Sequence, residues 1–418
     1  QLLQHAIESR ATTTKSDKQA LIENLALRRI IALMDQYRTL HTLFEEHRPA
    51  LAAVLTHELA RWERSLSGQN EQHTPAVLEW CHVLLAAREE RAEMHVHVVL
   101  DVQVQKVFMP VLTRTLLHSQ HHAGHEALLH VIEQLLVLRE MSVQWDMITA
   151  HIVALLSSLE SFIARITAVK ALPRHQSRVT TSESSRALTA RSLAVVSQLT
   201  NLAADYEQSH RIINLLLPFL KPQHRLSEDT TRDILTSVKQ LLDKMRADNP
   251  HKRNYLQPLA GLLERDYPAP LREMLAQVLG VLVPRASKLM NGLTAIDRSQ
   301  LGVPNYEARL QAYAALASEE SSSPLQTFTH DEVLPLIHIA LHDLAHTSDL
   351  SLRTQALHML TALLTRSVQN NTHVTVSSLL NVLSPAIRRQ MNSSNASARA
   401  EYLALFVEVI RALPEQYA

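Results

Sequence analysis

Two residue types recur in patterns that could do chemistry. Histidine is the first, with 24 copies, including His95 and His97 and the group His118, His121, His122, His125 and His130. A helical zinc site needs two histidines one turn apart with a glutamate between them. His125-Glu126 approaches that pattern, but His130 lies five residues along and points to another side of a helix. No convergent ligand set can be assembled from these residues, so they read as solvated histidines in a connection, with no metal or cofactor expected. Arginine is the second. Arg232, Arg272, Arg309, Arg353 and Arg399 each begin the pattern R-x-x-apolar-x-x-apolar, at successive gaps of 40, 37, 44 and 46 residues. Asn305, Asp349 and Asn395 stand four residues before the last three, where a turn between helices wants a capping side chain.

A gap of about 40 residues is the period of HEAT-type helix pairs. The arginines can therefore do one of two things. They can form a basic ladder facing RNA, or they can bond acidic and carbonyl groups inside the turn of their own repeat. The fixed position relative to the turn, with varied flanking residues, favours the structural role. Local basic clusters carry the remaining chance of phosphate contact: Arg174 to Arg178, Lys221 to Arg225, His251 to Arg253 with Lys252 between, Arg388-Arg389, and Arg28-Arg29. Short charge runs on helical proteins are usually solvated faces, so RNA contact is expected only if such turns line up along one edge.

The elements that would position these residues are helices. Six glycines in 418 residues, with 46% hydrophobic and 4% aromatic content, leave little material for hairpins or phosphate loops, whereas the abundant Leu, Ala, Glu, Gln and Arg favour helix. The expected fold is all-α, a HEAT/armadillo-like helical-repeat solenoid. There is no G-x-G-x-x-G, G-x-x-x-x-G-K, G-x-S-x-G or H-E-x-x-H, and the chain is expected not to be an enzyme. With 41 basic and 41 acidic residues the net charge is zero, so any RNA contact should be local. The single cysteine, Cys81, excludes a disulfide framework and reads as a packed helical thiol in a reducing compartment. No run of 18 apolar residues occurs, so no membrane span is expected.

Residues 1–172 read as long helices in an irregular array. Ser16 with Gln19 and Thr74-Pro75 mark helix starts, Pro110 a division between helices, and His118 to His125 a polar connection. Residues 173–190, rich in Ser, Thr and Arg, read as a loop or linker, and residues 191–418 as HEAT-like repeats that tolerate the insert Ser318 to Pro324. Proline recurs near the start of first helices at Pro218, Pro258, Pro335 and Pro385. In the clearest pair, Thr329 and Glu332 form a capping box ahead of Leu334, Ile337, Leu341 and Leu344, and Asp349 caps a second helix carrying Leu352, Ala356, Met359, Leu360 and Leu363. Each helix has one apolar stripe, which stacking on neighbours must cover. The chain opens on Gln1 inside a helical pattern and reads as a segment of a longer protein.

From Leu289 to Tyr417 the sequence resembles a known family. The step Asp297-Arg298, the turn from Asn305 to Arg309, and two helix pairs with a DLSL turn at Asp349 to Leu352 look like the middle region of the down-regulated-in-metastasis family. These are very large HEAT-repeat U-three small nucleolar RNA-associated proteins of the small-subunit processome. The resemblance implies a nucleolar, non-enzymatic scaffold in a large ribonucleoprotein complex. Its partners would be other ribosome assembly proteins, pre-ribosomal RNA and small nucleolar RNA, the RNA reached through local basic turns. Two other helical-repeat classes fit less well. A nuclear transport receptor is usually acidic, and a helical region of a giant kinase-like protein would require a kinase domain elsewhere.

Overall fold

In the computed structural model, residues 102–141, 148–168 and 178–412 are described, apart from the short stretches 119–121, 222–223, 225, 247–248, 298, 300–302, 318–323, 370–373 and 393–394. The helix starts at Ser16 and Thr74-Pro75, Cys81, Arg28-Arg29, His95 and His97 lie outside the described residues. All regular structure among the described residues is helical, with a single isolated β-bridge between Ile296 and Pro304. This is the all-α helical-repeat architecture. The chain divides into two compact units between Ile212 and Ile213.

The first unit contains α1 (Val102–His118), α2 (His122–Met141), α3 (Ile152–Ala168) and α4 (Arg178–Gln198), and the boundary falls within α5 (Tyr206–Leu216). Helices α1 and α2 both contact α4 or α3 through apolar rows, with Phe108, Leu112 and Leu116 on α1 and Leu128, Ile132 and Leu135 on α2 fully or almost fully buried. The segment Thr149–Thr167 is long and apolar enough to cross a membrane by composition. Its Leu155, Leu156, Leu159 and Phe162 are buried inside the fold, which accounts for that hydropathy.

Three expectations change here. Pro110 lies inside α1 and does not divide two helices. Helix α2 begins at His122, so His122 and His125 are helical and the polar connection shrinks. The stretch 173–190 is not a linker throughout, because α4 starts at Arg178 and already buries Leu188 and Thr189. Ser and Thr have only modest helix penalties, and no Pro or Gly follows Pro173 in the segment, so packing of Leu188, Leu193, Val195 and Val196 suffices to hold a helix.

The second unit continues with α6 (Glu228–Lys244), α7 (Leu256–Leu263), α8 (Ala269–Leu282), α9 (Pro284–Leu293), α10 (Tyr306–Ala317), the one-turn α11 (Pro324–Thr327), α12 (His330–His346), α13 (Leu350–Val368), α14 (Val376–Met391) and α15 (Ala396–Ala412). Second helices of successive pairs stack, α10 on α13 and α13 on α15, while α7 packs on α12. Close approach of α8 and α9 depends on Gly280, where a Cβ would lie 2.5 Å from Ser287 Oγ.

Helix α12 starts at the expected capping box, with the Thr329 amide donating to Glu332 Oε2 at 2.8 Å. It departs from the single-stripe pattern, because Glu332 through Ala345 are all buried. The reason is topological: α7, α9, α13, α14 and α15 all pack against it, leaving no solvent side. Pro385 falls in the middle of α14, not near its start.

Candidate functional site

The recurring arginines are placed by their caps. Asn305 Oδ1 accepts from the Ala308 amide at 3.1 Å, Asp349 Oδ1 from Leu352 at 2.9 Å, and Asn395 Oδ1 from Ala398 at 3.2 Å. Each satisfies one of the orphan donors of a helix start. Arg309, Arg353 and Arg399 follow four residues after those caps, and Arg272 four residues after Pro268, the residue before α8. Arg232 stands five residues after its cap Ser227, about 100° further around the helix. It is correspondingly exposed and, among the described residues, pairs with Asp229 on its own helix, at 2.9 Å.

Two of the four equivalent arginines converge on one carboxylate. Arg309 Nη2 donates to Asp343 Oδ1 at 2.6 Å, and Arg272 Nη2 lies 3.7 Å from the same oxygen. Tyr313 OH donates to Asp343 Oδ2 at 2.7 Å, and His342 Nδ1 stands 3.2 Å from Oδ1. Arg309 Nε also donates to the Leu293 carbonyl at the end of α9, 2.8 Å away. One guanidinium thus closes the turn of its own helix pair and reaches the next pair as well.

Asp343 has no solvent exposure. Burial alone would raise its pKa, but the bonds from His342 and the charges of Arg309 and Arg272 bring it down to about 2. Burial holds His342 down at about 4, so it is neutral near pH 7 and can donate its Nδ1 proton to the carboxylate. Burial also lowers Arg272, whose Nε and Nη2 have no hydrogen-bond partner, and raises Tyr313 well above its ordinary value. Every member of this cluster is buried, and its geometry is that of a cross-repeat lock.

Arg353 takes a shallower version of the same role. Its Nη1 donates to Ser397 Oγ and lies 3.8 Å from Glu401 Oε1, both on α15 of the following pair and not in its own turn. Arg399 is half-buried at the equivalent place on α15. In the first unit the ties between helices come from arginines that have no such register: Arg191 grips Glu133 with Nε and Nη2 at 2.9 and 2.7 Å, and Arg211 grips Glu160 at 3.2 and 2.8 Å. His130, singled out above with the histidine group, joins the first of these through Arg191 Nη2 at 2.9 Å.

The basic turns differ in their surroundings. Arg174 and Arg225 are outside the described residues, and Arg178 opens α4. Lys221 is exposed after a 3-10 turn, Lys252 is half-buried, and exposed Arg253 lies 4.0 Å from Asp331. Arg388 is exposed. Arg389 donates to Glu264 Oε1 at 2.5 Å, beside His338 Nδ1 at 3.2 Å from the other oxygen of that buried carboxylate. Burial would raise Glu264, and these two neighbours lower it below its ordinary value. Arg253 precedes α7 and Glu264 follows it, so Arg253 and Arg389 mark opposite ends of that helix. Sequence spacing offered no signal for Asp343 or Glu264, the acids on which the arginines converge.

The model of the family described as U3 small nucleolar RNA-associated protein 20, N-terminal, matches residues 4–395. The chain belongs to this family. The match extends the sequence likeness in two ways. It covers almost the whole chain and not only the stretch after Leu289, and it assigns the chain to the N-terminal part of the U3 small nucleolar RNA-associated protein 20 family and not to its middle. Among solved structures, the chain is similar to a crystal structure of an engineered protein at 11% identity, over 98% of this chain and 99% of that one, with a TM-score of 0.31.

Proposed function

We propose that this chain is a non-catalytic helical-repeat scaffold in ribosome biogenesis, acting in the nucleolus within the small-subunit processome. There it organises assembly proteins and pre-18S ribosomal RNA. The observation that carries the reading is the family match over residues 4–395, on a chain whose charged clusters serve to lock helices together. The family's name associates it with a small nucleolar RNA, and a stacked helical array presents long faces for partners.

Proteins are the main partners in this reading. Leu403, Phe406, Val407 and Ile410 form an exposed apolar row along α15, a surface suited to packing against further polypeptide. RNA contact is limited to local basic turns, two of whose arginines already pair with carboxylates. Purification of the full-length protein should bring down small-subunit assembly proteins and U3 small nucleolar RNA, and their absence overturns the reading. The 418-residue chain alone should bind structured or single-stranded RNA weakly, with an affinity that falls steeply between low and near-physiological salt.

A further inference from the structure

The repeat register shows which side of a second helix faces the next pair. Arg309 and Tyr313, four residues apart on α10, both reach Asp343 on α12 of the following pair, at 2.6 and 2.7 Å. Arg353 on α13 likewise reaches Ser397 and Glu401 on α15. With 3.6 residues per turn, the arginine and the positions four, seven and eleven after it lie within about 60° of one another. They form one stripe aimed at the following pair. On α10 the stripe includes Tyr313 and Leu316, both fully buried. On α13 it is Leu357, Leu360 and Leu364, the first half-buried and the other two 1% exposed. The second helix stacked on α10 is α13, and the one stacked on α13 is α15.

On α15 the same three places, counted from Arg399, are Leu403, Phe406 and Ile410, exposed at 48%, 43% and 50%, with Val407 beside them. These are the residue types of the covered stripes. A terminal repeat carries a polar outer face, because nothing further stacks on it. Beyond Arg399 this stripe has no polar member. The stripes on α10 and α13 are each covered by the pair that follows in the same chain, and the family match assigns these residues to the N-terminal part of the family's proteins. We infer that Leu403, Phe406, Val407 and Ile410 seat the next helix pair of the same polypeptide, whose second helix stacks on α15 as α15 stacks on α13. The row is then an internal joint of a continuing stack, not a docking face for another protein. The inference rests on the repeat register and is independent of the processome reading.

Hydrogen exchange followed by mass spectrometry tests it, on the full-length protein and on the 418-residue chain, each dilute enough to sediment as a monomer. Amides of residues 403–410 should exchange at least about tenfold more slowly in the full-length protein, because covering the stripe suppresses local opening of α15. Those of residues 357–364, covered in both, should exchange alike. Phe406→Glu places a charge where the next pair packs. It should erase most of the difference at 403–410 and leave 357–364 untouched, while Arg388→Ala should alter neither. Equal exchange at 403–410 in the two proteins overturns the inference. Protection that grows with concentration assigns the row to a second copy of the chain, and protection that requires a co-purified protein assigns it to that partner. Either result overturns it as well.

Discussion

Arg309 and Arg353 occupy the same place in their repeats, four residues after an Asn or Asp cap, yet they end in different surroundings. Arg309 is 4% exposed at its side chain and faces an Asp343 that is fully enclosed, whereas Arg353 is 14% exposed and faces Glu401 at 20%. The repeat register determines where the guanidinium starts. The neighbouring helix determines what it is worth. Because α12 is packed on all sides, an acid at position 343 must be compensated completely, and two arginines, a tyrosine and a histidine surround it. On α15 the partner acid keeps contact with water, and the same motif becomes an ordinary surface-proximal tie.

Substitutions that isolate the buried partners should break this contrast most visibly. Asp343→Ala would leave Arg272 and Arg309 enclosed without a counter-charge and should cost about 3–5 kcal/mol in denaturant unfolding. A cost below about 1 kcal/mol would mean the cluster relaxes to reach water. Arg309→Ala should fall near the low end of the same range, since it also strands the Leu293 carbonyl.

Acid is the next lever. The unfolded chain protonates His342 near its ordinary 6.5, but the folded chain does so only near 4. Below pH 6.5 the unfolded state therefore binds more protons, and stability should decline between about 6.5 and 4 while remaining level above. Asp343 adds a second decline between its ordinary 3.8 and about 2. His342→Gln should flatten the upper decline in melts recorded across that interval, and an unaltered slope would place its origin elsewhere.

Arg353→Ala should cost about 1 kcal/mol, the value of a partly buried charged bond. Arg232→Ala should stay within about 0.5 kcal/mol, because Arg232 is exposed and its pair with Asp229 is local. If these two substitutions proved equal, depth would not be what separates the arginines.

The helix pairs from Thr329 to Arg366 were readable because their signals are local. Capping box, Asx cap and apolar spacing each lie within a few residues, and the predicted inward residues from Leu334 to Leu363 are all buried. The arginine lock was half readable. The guanidinium repeats at a recognisable interval, but its acid sits in a helix interior 34 residues away for Arg309, with no periodic mark. Breaker residues misled in both directions. Pro110 and Pro385 sit inside helices whose neighbours hold them, and the Ser/Thr-rich text before Arg191 has no breaker after Pro173 although it reads as a linker.

The Asp343 lock also bears on how the protein would answer a mechanical load. In a plain stack of repeats each pair holds only its neighbour, so tension can peel pairs away one by one. Here a single enclosed carboxylate binds side chains from α8, α10 and α12, and through Arg309 the end of α9. Those helices should yield together in a single rupture.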